Sequence, residues 1–309
     1  MAWQIFNLCY ISCVEKIYIF TKNIFKRKIV MILDGKAYSK EIIQKLTDYY
    51  TENPTKKKLA IITVGDDYAS HVYCKMKKNT AEKIGIKCDV FAFKQVGQED
   101  LEQLLILLGR DKNVAGIMIQ HPLPSYLNEQ ALMDMIPYQK DVDGCSTESA
   151  GRILTNTRKF VPATALGIVK LLKKNNINLT GKKVLVVGRS TIVGLPLANM
   201  FIKENATVTV AHSKTENLPD MIKDFDIVVA AIGKPEFLKA EWFKEGQILV
   251  DAGYNEGNVG DIDHNAYAKA SYYTPVPGGV GPMTVASLMY QTHKAIQKSE
   301  CRYEYKDEV

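Results

Sequence analysis

Tyr73 and Lys77 stand four residues apart in SHVYCKMK (70–77). On a helix, that spacing stacks a phenol and an amine on one face. As a working acid/base pair they would need the lysine desolvated or partnered, so that its pKa falls several units from about 10.4. Lys75, Lys78 and Lys83 surround the pair, and such runs also fit a plain solvated face. A second stretch, KDVDG (140–144), alternates Asp141 and Asp143 on an extended or turning segment that ends at glycine. One of these carboxylates near Lys77 would accept hydrogen bonds from a substrate's amino and ring N–H groups. Solvated aspartates on a surface turn are the alternative.

Two glycine-bearing stretches point to a nucleotide and a ligand loop. In VLVVGRSTIVGLP (184–196), Gly188 closes an apolar strand and Gly194 opens a helix, a geometry that turns helix N–H groups toward a pyrophosphate. The middle glycine of G-x-G-x-x-G is absent, because Arg189 and Ser190 follow Gly188 directly. The next strand ends in Ala211–His212–Ser213–Lys214, without the acid that usually binds the ribose hydroxyls of NAD. A hydroxyl and a lysine, with Arg189 across the cleft, suit a 2′-phosphate, so NADP is expected ahead of NAD. Further on, TPVPGGVGPMT (274–284) packs three prolines and three glycines into a stiff, irregular loop that brings backbone amides near a ligand.

The elements that must position these residues alternate along the chain. Helix KAYSKEIIQKLTDYY (36–50), strand KLAIITVG (58–65), a helix over about 69–84 ending at Gly85, strand CDVFAF (88–93), helix QEDLEQLLILLGR (98–110) and strand VAGIMIQ (114–120) form one βαβα unit. A linking helix expected from Pro162 leads to a second unit, with strands KKVLVVG, ATVTVAHS, DIVVAAIG and GQILVDAG, and a last helix (284–298) follows it. The fold class expected is α/β in two domains: an N-terminal αβα catalytic domain and a C-terminal Rossmann-type doubly wound parallel sheet, joined by long helices. Residues 31–160 plus 284–300 form the first and 161–283 the second.

Composition narrows the function classes. At 309 residues, 46% hydrophobic and 24% charged, the chain can bury two cores and is not disordered. A net charge of +6 without a basic stripe suits an anionic small molecule and gives no sign of a nucleic-acid partner. Six cysteines include no CxxC pair, so no metal site or disulfide framework is expected, and a reducing, cytoplasmic setting fits. Residues 1–30 are interrupted by Glu15, Lys16 and Lys22 before a membrane span is reached; they read as a start placed ahead of Met31, with a targeting presequence as the alternative.

The ordered set YCKMK, IQHPLP, KDVDG, GRSTIVGLP, HSKT and TPVPGGVGPMT resembles the methylenetetrahydrofolate dehydrogenase/methenyltetrahydrofolate cyclohydrolase family, from ILDGKAYSKEI (32–42) to the last helix. The resemblance implies oxidation of methylenetetrahydrofolate with NADP and hydrolysis of the methenyl product to formyltetrahydrofolate, in one-carbon metabolism and purine biosynthesis. It implies a homodimer with tetrahydrofolate derivatives as partners. By position it implies Lys77, Tyr73, Gln120 and Asp143 as catalytic residues, with Gln120 holding Lys77, Tyr73 stacking on the folate and Asp143 anchoring the pterin. Ile119, His121, Pro277, Gly278, Gly279, Val280 and Gly281 join them around the substrate. Gly188, Arg189, Ser190, Gly194, Ser213 and Tyr254 fall on the cofactor site. Departures are His121 for leucine, Ala163–Thr164–Ala165 within the usual Pro-Cys-Thr-Pro, Tyr254 for isoleucine, and DVDGCSTES for DVDGFHP. A short-chain dehydrogenase also uses Tyr-x-x-x-Lys, but its glycine loop precedes the pair, whereas Gly188 follows it here.

Overall fold

A computed structural model describes residues 30–155, 157 and 160–300. The expectation for residues 1–30 therefore lies outside the described residues, except at Val30.

The chain begins with a two-residue strand, β1 (Met31–Ile32), and helix α1 (Gly35–Glu52). Strand β2 (Lys58–Val64), helix α2 (Tyr68–Ile84), strand β3 (Lys87–Phe93), helix α3 (Gln98–Arg110) and strand β4 (Val114–Ile119) follow. β2 lies between β3 and β4, all parallel. Its residues alternate between two cores. Leu59 and Ile61 pack with Cys74, Ala81 and Ile84 of α2, while Ala60, Ile62 and Val64 pack with Leu101, Leu105 and Leu108 of α3. Covering both faces explains why the strand reads as an uninterrupted apolar run. α2 starts where the Asp67 carboxylate accepts from the Ser70 N–H (2.7 Å) and stops at Gly85, whose φ of 100° favours glycine.

Short helices α4 (Glu129–Asp134) and α5 (Thr147–Leu154) then bracket the KDVDG turn, and α6 (Ala163–Lys174) crosses to the second unit. That unit comprises β5 (Lys183–Val187), α7 (Gly194–Lys203), β6 (Thr207–Ala211), α8 (Leu218–Met221), β7 (Ile227–Ala230), β8 (Ile248–Asp251), β9 (Tyr272–Tyr273) and α9 (Val280–Ser299). Its sheet runs β1-β9-β8-β7-β5-β6, parallel throughout. The chain leaves β5 toward β6 on one side and continues to β7 on the other, so the crevice of a doubly wound sheet lies beyond the ends of β5 and β7.

Two expected boundaries shift. Met31 and Ile32, expected in the first domain, pair with Tyr272 and Tyr273 at the edge of the second sheet, with the Met31 N–H donating to the Ser271 carbonyl (2.9 Å). Two residues are too few to carry a periodic signal. The last helix begins at Val280 rather than 284, so Val280–Thr284 of the proline–glycine loop form its first turn. Pro282 is tolerated there because a first-turn N–H has no intrahelical acceptor. α9 packs on α1 and α6 and ties the two units together.

Candidate active site

A cavity of about 900 Å³ opens between the strand ends of the two sheets. Tyr73, Lys77, Gln120, His121 and Asp143 line one side, and Tyr254 with Pro277, Gly278, Gly279, Val280 and Gly281 line the other. Lys77 is only 7% exposed, whereas Lys75 is exposed and Lys78 lies near Glu82 at the surface. Its Nζ donates to Gln120 Oε1 at 2.8 Å, and Gln120 Nε2 donates on to the His121 carbonyl at 2.9 Å. The amide is thereby oriented with its oxygen toward the amine. Burial pushes the Lys77 pKa down, with the Asp143 carboxylate opposing the shift. Tyr73 moves the other way: burial, aided by Tyr254, pushes its phenol up to about 12. The phenol therefore stays protonated near neutral pH, and the ring offers a stacking surface rather than an acid/base group.

The two KDVDG aspartates separate by role. Asp141 is 1% exposed and wholly committed to the fold. Its carboxylate accepts from the N–H groups of Gly144 (2.9 Å), Cys145 (3.3 Å) and Ser146 (3.0 Å) and from the Ser149 hydroxyl (2.7 Å). Asp143 instead faces the cavity. Buried Gln291 of α9 fixes the turn by donating to the Val142 and Val161 carbonyls (2.8 and 2.9 Å) and accepting from the Val161 N–H (3.0 Å). Gly144 is required beside it: φ is 67°, and a Cβ would sit 2.4 Å from the Val161 backbone.

The proline–glycine loop is held by α1. The Lys36 N–H donates to the Gly278 carbonyl at 2.8 Å, and Gly35 lies so close to Gly279 that a Cβ would overlap its carbonyl. Opposite, Tyr254 meets the Tyr73 ring edge-on at 5.8 Å between centroids, and its hydroxyl donates to Asn258 Oδ1 at 2.5 Å. Tyr254, expected against the cofactor, touches the Tyr73 side of the cleft.

Ile119 differs from expectation. Its side chain is buried in the core against α3, because strand alternation sends it to the face opposite Gln120. Gly188, Arg189, Ser190, Gly194 and Ser213 lie outside this cavity, along the strand ends of the second sheet. At the β5–β7 crevice a Cβ on Gly188 would sit 2.1 Å from the Ala231 carbonyl, and one on Gly194 2.1 Å from the Gly188 carbonyl. The Ser190 hydroxyl accepts from the Val193 and Gly194 N–H groups (3.2 and 3.4 Å), shaping the entry to α7. Arg189, Ser190, Ser213 and Lys214 are exposed at adjacent ends of β5 and β6, which pair Val187 with Ala211. Glu129, which contacts the His121 imidazole from α4, carries no local motif that would single it out from sequence.

Comparison with known proteins agrees with this two-part arrangement. The family model "Tetrahydrofolate dehydrogenase/cyclohydrolase, catalytic domain" matches residues 33–143, and its "NAD(P)-binding domain" counterpart matches 162–300. The "Bifunctional protein FolD" of Leptospira interrogans is 45% identical over 268 residues, covering 85% of this chain and 94% of that protein. That of Cellvibrio japonicus is 46% identical over 268 residues, covering 85% and 96%. The crystal structure of the bifunctional FolD enzyme from Campylobacter jejuni superposes with a TM-score of 0.84 at 37% identity, covering 89% of this chain and all of that one. The FolD enzyme from Trypanosoma brucei, complexed with NADP cofactor and inhibitor, gives 0.84 at 32% identity, covering 88% and 98%. With a buried lysine at the cleft and both domains matched in order, the chain belongs to the tetrahydrofolate dehydrogenase/cyclohydrolase family.

Proposed function

We propose that the protein oxidises 5,10-methylenetetrahydrofolate to 5,10-methenyltetrahydrofolate with NADP and hydrolyses that product to 10-formyltetrahydrofolate. The observation that carries this reading is Lys77: an amine buried at the mouth of two domains, held by Gln120 at 2.8 Å and facing Asp143. The residues of the second sheet fit the cofactor. Gly188 and Gly194 let the end of β5, the start of α7 and Ala231 pack so closely that no side chain fits between them, and Arg189 and Lys214 stand exposed where an acid would oppose a 2′-phosphate. NADP, when bound, accepts the hydride from the one-carbon bridge. The protein's part in that step is to hold the bridge in place, with Tyr73 under the folate rings and Asp143 accepting from the pterin N–H groups.

Hydrolysis uses Lys77 directly. Water adds to the bridging carbon as the neutral Nζ takes its proton. The bond from that carbon to N5 then breaks as the ammonium returns the proton to N5, and the hydroxyl on that carbon loses its own proton to solvent to become the formyl carbonyl, so that one proton is released overall. Gln120 keeps Nζ aimed without adding a charge that would raise its pKa again. A cytoplasmic homodimer supplying one-carbon units to purine biosynthesis is the setting this reading proposes. Among the described residues, no helix is long and apolar enough to cross a membrane.

A spectrophotometric assay with methylenetetrahydrofolate and either nicotinamide tests the reading. NADPH formation, outpacing NADH formation, is expected; no reduction of either cofactor would overturn it. Gly194→Ala places a methyl against the Gly188 carbonyl and displaces α7 from the crevice. It is expected to weaken NADP binding by about tenfold or more, measured by fluorescence titration, and unchanged affinity would remove this crevice from the cofactor site.

A further inference from the structure

His121 stands beside Gln120 in the chain, yet its imidazole points elsewhere. Nδ1 contacts the Glu129 carboxylate of α4, and the same carboxylate accepts from the Leu123 N–H at 3.4 Å. Nε2 is fully buried, has no hydrogen-bond partner among the described residues, and faces Asp143 Oδ2 at 3.8 Å. The ring therefore spans two carboxylates: one that fixes its orientation and one that lines the cavity. Burial alone would push the Glu129 carboxyl up, but His121 and the Leu123 N–H outweigh it and hold it below its ordinary value. Glu129 thus remains an anion beside Nδ1.

We propose that His121, oriented by Glu129, is a positioning residue for Asp143 and sets this protein's affinity for folate through that carboxylate. This rests on the proposed placement of the pterin against Asp143. The ring anchors on Glu129 through Nδ1 and presents Nε2 to Asp143 Oδ2, which fixes where that carboxylate stands for the pterin. Because Nε2 is buried, the ring acts through Asp143 and not by touching substrate itself.

The groups facing His121 are Glu129 from α4, Asp143 from the KDVDG turn with Cys145 just after it, and Lys77 of α2 by way of Gln120. His121, Asp143 and Cys145 also bring ligand atoms within 4.8 Å of one another. A divalent cation does not suit this place, because burial pushes the Cys145 thiol well up, away from the thiolate a metal needs.

The test compares wild type with H121L, H121Q and E129Q, measuring KM and kcat for methylenetetrahydrofolate oxidation. H121L is expected to show a KM about tenfold higher, the size of a lost hydrogen bond to a carboxylate, with kcat changed much less. H121Q, which keeps a donor, recovers most of the affinity. E129Q, which loosens the ring from its anchor, raises KM in the same direction as H121L. An H121L enzyme with wild-type KM overturns the proposal, as does a fall in kcat as large as the rise in KM in all three variants with a lowered melting temperature. A wild type that reduces neither nicotinamide would instead defeat the functional reading on which the proposal rests.

Discussion

Lys77→Gln is expected to lower methenyltetrahydrofolate hydrolysis by about 10³-fold or more, within the range that one positioned acid/base group supplies. NADP affinity should stay within about twofold, because Lys77 lies on α2 and the glycine crevice lies beyond β5 and β7. Single-turnover hydrolysis and a nucleotide titration read the two effects separately; undiminished hydrolysis would remove Lys77 from the mechanism. The pH dependence has a definite sign. Nζ takes a proton only when neutral, so the hydrolysis rate should rise with pH along a limb set by the Lys77 pKa. Burial places that pKa below its ordinary value. Asp143 raises it, so Asp143→Asn should move the limb to lower pH. The same depression affects stability. The unfolded chain holds the Lys77 proton more tightly than the folded one, so this residue's contribution to stability rises with pH between the two pKa values. Lys77→Gln abolishes that rise.

The second large effect separates two aspartates that stand two residues apart. Asp141→Ala strands the Cys145 and Ser146 N–H groups and the Ser149 hydroxyl, while the Gly144 N–H keeps the Asp141 backbone carbonyl (3.0 Å). At about 1–3 kcal/mol for each buried group left unpaired, it should cost at least about 3 kcal/mol of stability, seen as a lower denaturant midpoint. Asp143→Ala breaks none of those bonds. It should leave the midpoint nearly unchanged and raise the KM for the folate by about tenfold or more, in line with losing a charged acceptor. If Asp143→Ala also unfolded the protein, or left KM at the wild-type value, the pterin would have to be anchored elsewhere.

Much of the fold was legible because both sheets are parallel and covered on both faces. Such strands appear as short apolar runs separated by helical periodicity, and β2 to β5 fall where those runs do. Glycine punctuation placed the end of α2 and the start of α7 within a residue or two. What was less legible involved partners distant in the chain. β1 forms only because Tyr272 and Tyr273 lie beside it. α9 starts four residues early because its first turn tolerates Gly281 and Pro282.

The sequence by itself determined the chemistry available: an amine four residues after a phenol, two aspartates ending at a glycine, and a glycine turn without a following acid. Spacing alone left each ambiguous, since a helical lysine is equally at home in water and a KDVDG turn presents two carboxylates. Only the tertiary structure decided between them. Packing α2 against β2 and β4 buries Lys77 against Gln120 while leaving Lys75 in solvent. The approach of α9, α5 and the Val161 backbone consumes Asp141 and turns Asp143 to the cavity. Desolvation and hydrogen-bond commitment depend on what surrounds a group in space, and residues such as Glu129, Gln291 and Tyr254 reach the site from segments that the local sequence cannot connect to it.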